Sequence, residues 1–120
     1  MLGLKHFKIT KSSEYKTLFK DANKVVSKYF TILYKVSRQI KTSEEEGGFR
    51  FGITVSKKVG NAVKRNRCKR IIRVLIRDIY AKHKCNNLII NVIARRFMIG
   101  KSFDNIKNDF IFCFNKIIHS

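Results

Sequence analysis

Residues 57–77 read KKVGNAVKRNRCKRIIRVLIR and hold nine Lys or Arg with no acidic residue. An even spread of the chain's 27 basic residues would put about 5 in such a window, so the excess is local. Apolar residues recur at Cys68, Ile71, Ile72, Leu75 and Ile79. That spacing is one face of a helix. At ~100° per residue, Asn66, Arg70, Arg73 and Arg77 fall on the opposite side, with Arg67 and Lys69 flanking them. The stretch therefore predicts a helix that packs on a core with one face and shows guanidinium groups on the other.

Arginine's planar fork binds phosphate oxygens bidentately and stacks on bases, which an ammonium does less well. Gly60 and Asn61 read as the helix entry, because Asn is a strong N-cap and Gly tolerates the turn before it. Helix N-termini favour anions, so the end carrying Lys57, Lys58 and Lys64 suits a phosphate. The plain alternative is a solvated charged face. Self-repulsion among so many unbalanced charges favours an anionic partner instead.

Working outward, Phe49 to Lys57 alternates as a strand, with Phe49, Phe51, Ile53 and Val55 on one side. After the helix, which should end near Tyr80 to Lys84, Asn86 and Asn87 make a turn. Leu88 to Ala94, LIINVIA, is typical of a strand covered on both faces, and Arg95 and Arg96 stand at its end. Strand, helix and strand make a β-α-β unit, so these two strands should be parallel. Such crossovers are normally right-handed.

Val25 to Ser37 is rich in β-branched and aromatic residues and reads as a short strand and a longer one, broken at Ser27 and Lys28. In the longer strand Phe30, Ile32 and Tyr34 share a face. Between the strands, residues 38–48 with Glu44, Glu45, Glu46, Gly47 and Gly48 read as a flexible acidic hairpin loop. Residues 1–11 form a basic N-terminal segment. Ser12 or Ser13 can cap a short helix to about Asp21, with Tyr15, Leu18 and Phe19 on one face. Those aromatics are either core or the rim of a cleft where a nucleotide stacks. Ser102 can cap a last helix with Phe103, Ile106, Phe110, Cys113, Phe114 and Ile117 inward. The order α-β-β-β-α-β-α gives one α+β domain over residues 1–120, a four-stranded mixed sheet packed with helices.

A net charge of +19 on 120 residues points to nucleic acid first and an anionic membrane surface second. No run approaches the ~18 apolar residues of a membrane span. The N-terminus lacks an apolar stretch of signal-peptide length. Cys68, Cys85 and Cys113 are widely spaced, with no C-x-x-C pair, so neither a zinc ribbon nor a redox motif is supported. The three His residues have no metal-binding spacing, and the eight acidic residues do not pair as in a two-metal nuclease. Phosphate-loop, nucleophile-elbow and zincin patterns are absent. The chain reads as a binder rather than a catalyst.

Residues 51–73, FGITVSKKVGNAVKRNRCKRIIR, resemble the signature of the bacterial ribonuclease P protein component. The matching core is Arg65, Asn66 and Arg67, followed by the basic pair Lys69 and Arg70; weaker resemblance runs from about Lys5 to Phe114. The resemblance implies a non-catalytic protein subunit of a ribonucleoprotein endoribonuclease. Its catalytic RNA cuts the 5′ leader from precursor tRNA with magnesium ions held mainly by the RNA. It implies no catalytic and no metal-binding side chain in the protein, one protein per RNA, and a cytoplasmic location. It also implies a left-handed crossover. By position, Arg65, Asn66, Arg67, Lys69, Arg70 and Arg73 should meet the catalytic RNA. Lys57, Lys58, Gly60 and Asn61 match the motif's lead-in, and Lys64 belongs to the same basic surface. Tyr15, Phe19 and Phe30 look like the aromatics of the family's leader-binding cleft, with Tyr15 standing where Phe is usual.

Three rivals share the composition. A structural RNA-binding protein suits the charge and size equally. A stand-alone protein nuclease would have to use His, Lys or Tyr as acid and base. A basic amphipathic helix can lie on anionic lipid, but the flanking strands predict a domain that buries its apolar face.

Overall fold

The computed structural model describes residues 19–36, 49–83 and 88–118. The β-branched run forms β1 (Asn23–Val26) and β2 (Phe30–Val36), joined as an antiparallel hairpin with Val25 opposite Ile32. Ser27 makes the reversal. Its N–H donates to the Phe30 carbonyl at 2.8 Å, and its hydroxyl also lies 3.2 Å from that carbonyl. The third strand, β3 (Phe49–Thr54), leads through a 3-10 turn at Lys57–Val59 into helix α1 (Ala62–His83). Then come β4 (Leu88–Ala94), a 3-10 turn at Arg96–Met98, and helix α2 (Phe103–Ile118). The predicted first helix lies outside the described residues apart from its end, where residues 19–21 form a turn.

The sheet order is β1-β2-β4-β3. β4 runs antiparallel to β2 and parallel to β3, as the β-α-β reading requires. A strand apolar on both faces belongs in the middle of a sheet, and β4 sits there with all but one of its residues buried. This corrects one expectation. Because β4 lies between β2 and β3, the acidic segment 38–48 does not close a hairpin; it joins strands that are not neighbours. A Gly-Gly pair in sequence is a turn signal and carries no information about pairing. The segment's own conformation lies outside the described residues.

One face of the sheet carries the core. Phe30, Ile32 and Tyr34 of β2, Phe49 and Phe51 of β3, and Ile90 and Val92 of β4 are buried beneath the helices. From α1 come Cys68, Ile72, Leu75, Ile76 and Ile79. Ile76 completes the stripe, while Ile71 sits at its edge, half-buried. From α2 come Ile106, Phe110, Cys113, Phe114 and Ile117. Phe103, expected on that face, is 43 % exposed. It opens the helix, and helical side chains lean toward the N-terminus, which carries this ring off the end of the core.

Asp109 ties α2 to the hairpin: its carboxylate accepts from the Ser27 hydroxyl at 2.6 Å and from the Tyr29 N–H at 3.0 Å. Ser102 caps α2 through its hydroxyl and the Asn105 N–H at 3.2 Å. Asn91 is a buried polar residue of β4, satisfied by the Thr54 hydroxyl at 3.1 Å. Among the described residues, no helix is long and apolar enough to cross a membrane.

Candidate RNA interface

The interface begins where β3 ends. Lys57 and Lys58 sit exposed on the 3-10 turn, and Val59 plugs into the core beneath them. Gly60 then takes φ 155° and ψ −165°, a conformation reserved in practice for glycine. A Cβ there would lie 2.9 Å from Cδ and 3.1 Å from Cβ of Lys64, so that exposed side chain would have to shift. Asn61 caps α1 as its residue type predicts, its side-chain oxygen accepting from the Lys64 N–H at 3.0 Å. The cap orients the first turn and leaves Asn61 exposed.

Along α1 the arginine row is where the periodicity puts it. Asn66, Arg67, Arg70, Arg73 and Arg77 are exposed, as is Lys64, whereas Arg65 and Lys69 are half-buried at the margins. The described ion pair on this helix is Lys82 with Asp78 at 3.4 Å, near the C-terminal end. The N-terminal half has no carboxylate to neutralise it. Nε of Arg65 is enclosed and has no hydrogen-bond partner among the described residues. A buried donor left unmade costs about 1–3 kcal/mol.

Two concavities flank the Arg96–Met98 turn. One, of about 180 Å³, is lined by Lys64, Arg67, Ile71, Gly100 and Lys101. The other, of about 340 Å³, is lined by Lys58, Arg95, Arg96 and Phe97. Arg95, Arg96 and Lys101 were outside the set that motif spacing picked out. The signal that could have found the first two is the parallel pairing itself, which brings the carboxyl ends of β3 and β4 side by side.

The aromatic set divides. Phe19 is half-buried at the turn before β1. Tyr15 lies outside the described residues. Phe30 does not belong to a cleft: it is fully buried, with its ring edge-on to Phe110 at 5.4 Å, and no ring face remains for a base. Strict alternation assigns a side chain to a face of the sheet and cannot say which face a helix will cover.

The thiols of Cys68 and Cys113 are buried, and burial pushes both pKa values up. Among the described residues no group of His, Cys, Asp or Glu could hold a metal ion. The interface residues are mostly ammonium and guanidinium groups, which repel a divalent cation, and they include no carboxylate. They do not fit a magnesium site of their own.

Comparison with known proteins agrees with this arrangement. The family model described as Ribonuclease P matches residues 4–118. The ribonuclease P protein component of Bacillus cereus (strain Q1) is 31% identical over 112 residues, covering 93% of this chain and 91% of its own. The Staphylococcus aureus RNase P protein superposes with a TM-score of 0.76 at 29% identity, over 92% of this chain and 94% of that one. The Thermotoga maritima RNase P protein shares the fold, with a TM-score of 0.62 at 22% identity over 87% and 91% of the two chains. The basic helix, its glycine entry and its sheet are thus those of a ribonuclease P protein component, the family to which this chain belongs.

Proposed function

We propose that this chain binds the catalytic RNA of ribonuclease P through the N-terminal half of α1 and assists removal of the 5′ leader from precursor tRNA. The observation that carries the reading is the exposed, unneutralised row Arg67, Arg70, Arg73 and Arg77, set beside Lys57, Lys58 and Lys64 on a rigid scaffold. Two polyanions repel each other. A compact protein of charge +19 between them displaces condensed counterions and brings them together. The RNA holds the magnesium ions and performs the hydrolysis, and the protein supplies no acid, base or metal ligand. The leader runs beside Phe19, held by stacking and backbone contacts that tolerate varied sequence. One protein serves one RNA, in the cytoplasm.

The test is cleavage of a precursor tRNA at low magnesium by protein alone, catalytic RNA alone, and both. Cleavage only with both is the expected result. Cleavage by protein alone would reveal a protein active site. No gain from adding the protein would make it a structural RNA-binding protein instead.

A further inference from the structure

Asp109 of α2 differs from the other acidic groups of this basic protein. Asp78 pairs with Lys82, whereas Asp109 has no Lys or Arg partner among the described residues. Its half-buried Oδ2 accepts from the Ser27 hydroxyl at 2.6 Å and from the Tyr29 N–H at 3.0 Å. A carboxylate that neutralises no cation lowers the attraction of a +19 protein for RNA and returns nothing in charge pairing. What it holds is the reversal between β1 and β2.

The same reversal grips Arg95. The Arg95 N–H donates to the Tyr29 carbonyl at 2.9 Å, and its guanidinium donates to the Ser27 carbonyl. The Phe30 N–H donates to the Ser27 hydroxyl oxygen at 3.2 Å and closes the turn. Ser27 and Tyr29 thus each bond Asp109 through one group and Arg95 through their carbonyl. A shift of the turn moves both carbonyls, and the guanidinium with them. Arg95 is half-buried, with its guanidinium carbon 5.3 Å from the Phe97 ring centroid, in the concavity it shares with Lys58 and Arg96. A long side chain fixed beforehand loses less rotamer freedom when a ligand arrives.

We propose that Asp109 is a positioning residue for RNA binding: through Ser27 and Tyr29 it fixes the Arg95 guanidinium in advance. It acts through Arg95 and not by touching RNA. The assignment rests on the RNA-binding reading above and adds to it a residue of α2, outside the motif helix. The sign of the effect separates positioning from charge. Removing a carboxylate raises the net charge by one, which by charge alone strengthens RNA binding. Loss of positioning weakens it.

The experiment measures affinity for the catalytic RNA of wild type, Asp109→Ala and Asp109→Asn, each with Arg95 intact and with Arg95→Gln. Asp109→Ala should bind about threefold or more weakly, although it is the more cationic protein. Asp109→Asn keeps an acceptor oxygen for Ser27 and Tyr29 and should bind at least as tightly as wild type. In the Arg95→Gln background Asp109→Ala should weaken binding no further. Equal or tighter binding by Asp109→Ala, or the same loss in both backgrounds, would overturn the proposal. Should Asp109→Ala fail to fold, Ser27→Ala takes its place: weaker binding only with Arg95 intact supports the proposal, and any other result overturns it. A second readout needs no RNA. In NMR spectra of the free protein, the Arg95 guanidinium N–H signals should exchange slowly with water in wild type and Asp109→Asn, and fast in Asp109→Ala. Wild type that fails to assist the catalytic RNA in cleavage removes the ribonuclease P role, while the NMR signals still decide the link to Arg95. Assisted cleavage with unchanged Arg95 signals in Asp109→Ala removes the positioning role alone.

Discussion

Arg70 and Arg65 stand little more than a turn apart on α1 and do different things. Arg70 is exposed, so Arg70→Ala should leave stability within about 0.5 kcal/mol of wild type. It should also cut RNA affinity and reduce the salt slope by about 0.7–0.9. Salt titration of RNA binding beside a thermal melt checks both. A large drop in melting temperature with unchanged affinity would make Arg70 structural. Arg65 keeps Nε enclosed, with no partner among the described residues, so its truncation removes a desolvated donor as well as a charge. Gly60 is the residue where conformation decides. Gly60→Ala should destabilise the protein by about 1–3 kcal/mol, since φ 155° strains a residue with a Cβ and the Lys64 side chain would have to shift. Denaturant unfolding measures it, and no shift in midpoint would mean the loop relaxes freely. The cap at Asn61 and the glycine were legible because local chemistry dictates them. The role of Phe30 was not, because burial of a ring depends on what packs over it.

Among elements, Asp109 adds hydrogen bonds to the apolar packing of α2 on the β1–β2 hairpin. Asp109→Ala removes acceptors for the Ser27 hydroxyl and the Tyr29 N–H. A loss of about 2–3 kcal/mol is expected, since hydrogen bonds to a charged group are the stronger kind. A change below ~0.5 kcal/mol in chemical denaturation would show that water replaces the carboxylate. The two helices also bury Cys68 and Cys113 against the sheet, with raised pKa values. In a Cys85→Ser variant, neither thiol should react with a disulfide reagent at pH 7.5 until the protein unfolds. The sign follows from burial: the folded state disfavours thiolate, so these groups stabilise fully below the unfolded thiol pKa near ~8.5. That contribution fades as pH rises through the folded value. Helix faces and β4 were readable from periodicity and composition. The place of β4 between β2 and β3 was not, because a turn signal at Gly47 and Gly48 says nothing of which strand will be the neighbour.

For the whole molecule, charge is the governing quantity. With +19 and six or more phosphate contacts, raising salt from 50 to 200 mM should weaken RNA binding by roughly 10³-fold or more. A shallow dependence would mean that few of the exposed cations touch phosphate. Vesicles of anionic lipid should bind more weakly than RNA. The apolar face of α1, which a membrane would need, is already buried through Ile72, Leu75 and Ile76.

By itself the sequence determined the basic helix, its cap, the parallel β3–β4 pair and the family. Each of these rests on local propensity, periodicity or a contiguous motif. Only the tertiary structure decided that Phe30 is core, that Phe103 is exposed, and that residues 38–48 join strands that are not neighbours. It alone gathered Lys58 with Arg95, Arg96 and Phe97 into one groove. Those outcomes turn on which surfaces meet in space. Residues nearly forty positions apart come together only when strands pair and helices choose a face.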